Sequence, residues 1–211
     1  TGAVTVSSGG TLNIDGAILS AASLTLNGSG TPAGDGALTG SGAAGFTGPI
    51  TLGSATTIGV GNAATLTLSD GIAGVGMAMT KVGAGTLVLN GAGAYSGGTS
   101  IEAGAVSAGN PTALGTGLTT VKAAGTLNIL NGITLTSPAT LSLGGSLIGV
   151  GSAAYNGAVS IASSTALIGT GPASSDALTL NSPLTGSGLT KVGAGTLNLS
   201  GANIYTGSTT I

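Results

Sequence analysis

The sequence predicts an all-β fold, a parallel β-solenoid of roughly eleven short coils stacked at about 4.8 Å per coil. Three observations carry that prediction: short apolar-polar-apolar triplets along the whole chain, turn-forming residues between them, and a long internal repeat. Alternation with a period of two is the signature of a half-buried strand. It recurs at Leu24-Thr-Leu26, Ile50-Thr-Leu52, Leu66-Thr-Leu68, Leu87-Val-Leu89, Leu127-Asn-Ile129, Leu141-Ser-Leu143, Val159-Ser-Ile161, Leu178-Thr-Leu180 and Leu197-Asn-Leu199. Between the triplets stand Gly, Ser, Asn, Asp and Pro, which supply positive φ or preset turn geometry. No segment of helical length carries an i, i+3, i+4 apolar stripe. The last four triplets begin at 141, 159, 178 and 197, steps of 18, 19 and 19 that read as about one coil each. Strands this short are stable only when paired with the coils above and below, so a rod about 50 Å long is expected. The alternative, an up-and-down β-sandwich, uses strands averaging about five or six residues.

The repeat is long. Lys81-Val-Gly-Ala-Gly-Thr-Leu87 returns as Lys191-Val-Gly-Ala-Gly-Thr-Leu197, and the similarity extends over 80–101 and 190–211 at an offset of 110 (191 − 81). The opening segment 1–14 matches 116–129 at an offset of 115 (116 − 1). Between these anchors Phe46-Thr-Gly-Pro-Ile-Thr-Leu52 pairs with Tyr155-Asn-Gly-Ala-Val-Ser-Ile161. The chain therefore divides into one unit over 1–115 and a second, incomplete and continuous with it, over 116–211. Joining the end to the start would take about 14 residues, the equivalent of 102–115.

Composition narrows the chemistry. The 211 residues include 43 Gly, no His, no Cys and only 4% charged side chains, against about 25% in ordinary domains. Without His or Cys, a Ser-His-Asp triad, a thiol nucleophile, a thiolate zinc site and a disulfide cannot be assembled. With Lys81, Lys122 and Lys191 as the only cations and a net charge of −2, nucleic acid is not an expected partner. The most apolar run, 71–79, falls well short of the roughly 20 residues that span a bilayer, so no spanning segment is expected. No basic region followed by an apolar one opens the sequence, and a secretion signal is expected outside this segment.

Lys191, Gly193, Gly195, Thr196, Leu197, Leu199, Gly201, Asn203, Tyr205, Gly207, Thr209 and Ile211 stand in the pattern of a known repeat. The segment closely resembles the autotransporter-associated β-strand repeat, also called the passenger-associated transport repeat. The first copy departs from it with Gly93 at the Asn position and Ser96 at the Thr position, and continues through Glu102-Ala-Gly104. The resemblance covers about 50 residues in two blocks. It implies a right-handed parallel β-helix in a secreted bacterial surface protein, used as stalk and secretion aid, and implies no enzyme activity. An autotransporter ends in a membrane barrel of alternating strands. That pattern is not in these residues, which leaves open a barrel outside the segment or a different secreted fibre built on the repeat.

Candidate sites are few. The spacing of Asp15 and Asp35 could stack them one coil apart, yet the second unit has Leu130 and a turn near Gly144 there, and Asp70 aligns with Ser182. Paired acids on neighbouring coils could bind calcium or activate water. Without a matching pair, they read as solvated turn acids. Gly40-Ser-Gly-Ala-Ala-Gly45 fits a dinucleotide fingerprint, but Phe46-Thr-Gly-Pro49 follows where a helix would have to start, so a glycine corner is expected. Lys81 and Lys191 read as residues of an exposed coil edge. Phe46, Tyr95, Tyr155 and Tyr205 recur in pairs and read as packing aromatics, with a carbohydrate platform as the alternative. Asn27 and Asn198 open glycosylation sequons of no expected use in a bacterial protein.

The expected function is structural: a non-catalytic segment of a secreted bacterial fibre, surface layer or adhesin stalk, with no catalytic, metal or cofactor-binding residues. Neither 1–14 nor 195–211 contains a charge or Pro to protect a sheet edge, so self-association through open solenoid ends is expected. The alternative is a glycan- or surface-binding module. An ice-binding face would need a regular Thr file, but Thr25, Thr51, Thr67 and Thr179 alternate with Ser142, Ser160, Val88 and Asn198.

Overall fold

Alternation fixes the strands, and the corners between them fix the architecture. The computed structural model describes residues 2–32, 34–138 and 140–211; Thr1, the first residue of the sequence match to 116–129, lies outside them. Every strand pair is parallel, and no helix occurs among the described residues. The chain winds as a solenoid with three faces per coil. The first coil lays Ala3–Val6 on the first face, Leu12–Asp15 on the second and Ile18–Ser20 on the third. The second returns with Ser23–Gly28, Leu38–Ser41 and Ala43–Thr47, each parallel to its predecessor. The same order persists to the tenth coil, which carries Thr196–Leu199 on the first face and Thr209–Thr210 on the third.

Three strands, Ile50–Val60, Thr99–Ala108 and Thr119–Ile129, bend around a corner without interruption and tie the faces into one 21-stranded ladder. The last four first-face strands form a separate four-stranded ladder. The break falls at 112–116, which crosses the first face as a turn. It holds its place through Gly93 N–H donating to Thr112 O (3.1 Å) and Thr116 N–H donating to Tyr95 O (3.0 Å).

Ten coils are formed, one fewer than the triplet spacing suggested, because corner length varies. Thr140 pairs with Ala158, a step of 18 (158 − 140), whereas Leu24 pairs with Ile50, a step of 26 (50 − 24). The even steps in the sequence also concealed a change of face. Leu141–Leu143 and Val159–Ile161 stack on the second face, but 178–180 and 197–199 stack on the first.

The same arithmetic rotates the repeat. Following the second face from Met79 through Thr99, Thr119, Leu141 and Val159 leads to Leu184 after five coils, a step of 105 (184 − 79). The sequence equivalent of Met79 is Leu189, further along the chain, and it lies on the third face beside Thr209. Phe46 on the third face likewise corresponds to Tyr155 on the first. The second block is therefore displaced by five coils and one face, so local sequence specifies a corner and its flanking strands rather than a side of the rod.

The core is a file of side chains down a narrow axis. Leu66, Leu87 and Leu127, all fully buried, lie on the third face with Val106 between the last two. Burying each Leu or Ile is worth about 1.5–3 kcal/mol relative to exposure, and the gain is distributed coil by coil rather than in one deep core. One buried side-chain polar atom is unsatisfied among the described residues, Thr119 Oγ1. Replacing Thr119 by Val, nearly isosteric, removes an unmade hydrogen bond and should raise stability by about 1 kcal/mol in urea unfolding; a destabilised variant would refute the assignment.

Candidate functional site

The repeated Lys-Val-Gly-Ala-Gly motif builds the most elaborate polar cluster. In Met79–Val82 the alternation points Met79 and Lys81 inward, and the structure buries both completely. The expected exposed-edge position of Lys81 is thus corrected. Its stem runs inside between Ile58 and Ile101, and the ammonium ends at the corner, where the chain turns at Gly83. There Nζ donates to three backbone carbonyls: Val82 O (3.0 Å), Gly83 O (2.7 Å) and Ala103 O of the covering coil (3.1 Å). Gly83 and its counterpart Gly193 both adopt left-handed φ, +80° and +83°. A Cβ at either would press on a carbonyl of the coil below, Val60 O or Thr170 O. The turn thus needs glycine on two counts.

Lys191 reproduces the arrangement with Nζ donating to Gly193 O (2.5 Å) and Gly195 O (2.6 Å), but it remains half-exposed in the last turns. Lys122, by contrast, is exposed on its strand. Three donors matched to three acceptors is a lysine's full complement. At Lys81 the cluster therefore clamps a corner.

Burial lowers the Lys81 ammonium from its ordinary 10.5 to about 8. Burial raises Tyr95 above the usual phenol value, opposed in part by its hydrogen bond to Thr99, and burial raises Tyr155 as well. The linkage has opposite signs. Between about pH 8 and 10 the unfolded chain still binds the lysine proton that the folded chain has released, so stability rises with pH. Above about pH 10 unfolded tyrosines ionise while Tyr95 and Tyr155 stay protonated, so stability falls. Thermal melts should therefore peak near pH 10, and Lys81→Met should remove the rising limb; a wild-type profile flat from 8 to 10 contradicts this.

The aromatics pack. Phe46, Tyr95 and Tyr155 are fully buried, while Tyr205 is half-buried against the core at the last coil. Tyr95 OH and Thr99 Oγ1 are 2.7 Å apart, and Thr99 Oγ1 donates to Leu114 O (3.0 Å); Tyr155 OH donates to Pro138 O (2.9 Å). The ring faces of Phe46, Tyr95 and Tyr155 are inaccessible to a carbohydrate.

The acids are dispersed. Asp15 pairs in register with Ser41, whose Oγ donates to it at 2.5 Å, and Asp35 sits in the long corner of the second coil, so the two do not stack. Asp70 is exposed. Asp176, which the sequence did not single out, is buried and accepts from Gly151 N–H (3.0 Å) and Ala173 N–H (3.3 Å), closing a corner. Among the described residues no three His, Cys, Asp or Glu side chains converge to hold a metal. Gly40–Gly45 forms a strand end, a corner at Gly42 and the start of Ala43–Thr47, with no helix for a phosphate. Asn27 Nδ2 donates to Val6 O (3.0 Å), and Asn198 is exposed.

A regular hydroxyl file does exist, at positions other than those whose alignment read as irregular. On the second face Thr57, Thr80, Ser100, Thr120, Ser142, Ser160 and Thr185 succeed one another in register from the third coil to the ninth. Thr25 and Thr51 lie on the first face and Ser142 and Ser160 on the second, whereas Thr67 and Val88, like Thr179 and Asn198, are register neighbours on one face. All seven are half-buried and point outward between inward-facing neighbours.

Both lysine corners fall in segments, 79–108 and 189–211, that match the family model described as passenger-associated-transport-repeat. Those two segments are similar to the passenger-associated transport repeat. Over 223 aligned residues it is 35% identical to the adhesin BmaC autotransporter of Brucella suis biovar 1 (strain 1330), with all of this chain covered. It spans only 6% of that protein's length. No solved structure matches it significantly. The two matching segments share one geometry: strand, lysine-clamped glycine corner, strand, then a tyrosine, buried in the first segment and half-buried in the second.

Proposed function

We propose that the chain is a non-catalytic stalk segment of a secreted, cell-surface bacterial adhesin, an autotransporter passenger whose coils hold a distal part away from the cell. The observation that carries this reading is the lysine-clamped corner. It spends the repeat's most distinctive polar group on holding coils together. The similarity to an adhesin passenger supports the surface location. The two-unit division at 115/116 is read as one of sequence in a continuous rod, a reading supported by the pairing of 99–108 with 119–129 across it, which shifts register once between Ile101 and Ala103. A right-handed winding is part of the proposal, consistent with the hand of parallel crossovers in general.

Antibodies raised against the chain should label intact cells of the bacterium that carries it. Electron microscopy of the isolated chain should show rods about 50 Å long, ten coils at about 4.8 Å. Absence of surface labelling, or globular particles, would overturn the proposal.

The second-face hydroxyl file favours one other reading, a glycan- or surface-binding module. A glycan array probed with the wild type and with a Thr80→Val, Thr120→Val double variant tests it: binding lost in the variant supports it, and no binding by either removes it.

A further inference from the structure

Four Asn-Gly steps occur in the chain, at Asn27-Gly28, Asn90-Gly91, Asn131-Gly132 and Asn156-Gly157. Such a step can rearrange without a partner, because a glycine, lacking Cβ, lets its backbone nitrogen reach the side-chain carbonyl of the preceding asparagine. The rate depends on what else holds the two groups, and the structure holds three of the four. Asn27 Nδ2 donates to Val6 O (3.0 Å) while Gly28 N–H donates to Ser54 Oγ (2.8 Å). Asn131 Oδ1 accepts from Ser152 N–H (2.9 Å) while Gly132 N–H donates to Ser152 O (2.7 Å). Asn156 Oδ1 accepts from Asn181 Nδ2 (2.7 Å), and Gly157 is buried. Asn90 is exposed, and among the described residues neither its side-chain amide nor the Gly91 N–H has a hydrogen-bond partner. The second repeat has Ser200 at this position and so no amide to lose.

We propose that Asn90-Gly91 is a site of spontaneous deamidation and isoaspartate formation. The Gly91 nitrogen loses its proton to solvent and bonds to Asn90 Cγ; the Cγ–Nδ2 bond breaks and Nδ2 leaves as ammonia, giving a five-membered imide. Water then opens the imide at either carbonyl, leaving aspartate or, with the main chain rerouted through Cγ, isoaspartate. Nothing is oxidised or reduced, and water is the only co-reactant. The product falls in a tight corner. Residues 90–92 hand the chain from Thr86–Leu89 on the third face of one coil to Gly93–Tyr95 on the first face of the next. Gly91 lies so close to the corner of the coil below that a Cβ there would collide with the Asp70 backbone. Isoaspartate inserts an extra main-chain carbon into this corner and sets a carboxylate one coil above exposed Asp70. The strand that follows pairs Gly93 with Ile72 and carries the fully buried Tyr95, so the lesion loosens the stacking of neighbouring coils. The inference goes beyond the stalk reading and stands without it.

The folded chain, aged in mildly alkaline buffer and mapped by peptide mass spectrometry, tests this, with isoaspartate resolved from aspartate by chromatography. Each locked step must first give up its hydrogen bonds, so Asn90 should convert about tenfold faster than Asn27, Asn131 or Asn156. In guanidinium chloride the four should convert at similar rates, since each asparagine follows a Leu or Tyr. Asn90→Ser, which installs the residue of the second repeat, should remove the main product, and the fresh variant should melt like the fresh wild type. After ageing, the wild type should melt at a lower temperature than before and the variant should not. Equal conversion of the four steps in the folded chain, or faster conversion at another, overturns the proposal. A spread in denaturant as wide as in the folded chain also overturns it, by placing the difference in sequence rather than in structure. An equal fall in melting temperature for both aged samples overturns the effect on stacking.

Discussion

Leu87→Asp should eliminate the cooperative unfolding transition of this chain, while Lys122→Ala should leave the melting temperature unchanged. Leu87 is fully buried on the third face between Leu66 and Val106, with no cation or donor in its file. The substitution forfeits about 1.5–3 kcal/mol of apolar burial and places an unpaired carboxylate in a dry interior, a further cost of several kcal/mol. Together these rival the whole stability of an ordinary domain, about 5–15 kcal/mol. In a solenoid each coil is supported only by its neighbours, so the damage spreads to coils three and five. Leu197→Asp is milder, because Leu197 is half-buried at the last coil. Thermal melts followed by circular dichroism decide the matter: comparable melting temperatures for Leu87→Asp and Lys122→Ala would remove Leu87 from the interior.

The second large effect separates two residues that the sequence presents as equals. Lys81→Met keeps the apolar stem but leaves the carbonyls of Val82, Gly83 and Ala103 without the donor that gathers them. At about 1–3 kcal/mol for each buried group left unsatisfied, and after crediting the removed cost of burying an ammonium, a net loss of about 2–4 kcal/mol is expected. Lys191→Met should cost less than about 1 kcal/mol, since water reaches the half-exposed corner and substitutes for the missing donor. Urea midpoints at constant slope measure both. Equal losses would mean that the clamp acts within its own corner and not between coils.

The sequence was a good guide wherever chemistry acts over two or three residues. Triplets such as Leu141-Ser-Leu143 became strands because alternation in a half-buried strand is a local matter, and the aromatics Phe46, Tyr95 and Tyr155 went inside for the same reason. It misread Lys81 because a charge is ordinarily a surface marker. The period of two in Met79–Val82 pointed the other way, and it prevailed once three carbonyls were available to receive the ammonium. Asp176 escaped notice because its partners, Gly151 and Ala173, are supplied by a corner and by the preceding coil.

What the sequence determined by itself is the material of the rod: parallel strands too short to stand alone, glycine corners, a small-residue interior and a repeated motif that resembles a passenger repeat. What only the tertiary structure decided is the winding. The length of chain in each coil is the sum of its strands and corners, and the corners vary from coil to coil without altering any local pattern. Coil count, the shift of the second repeat by one face and the hydroxyl file on the second face all follow from that accumulated sum, because stacking compares positions a whole coil apart and local alternation compares only neighbours.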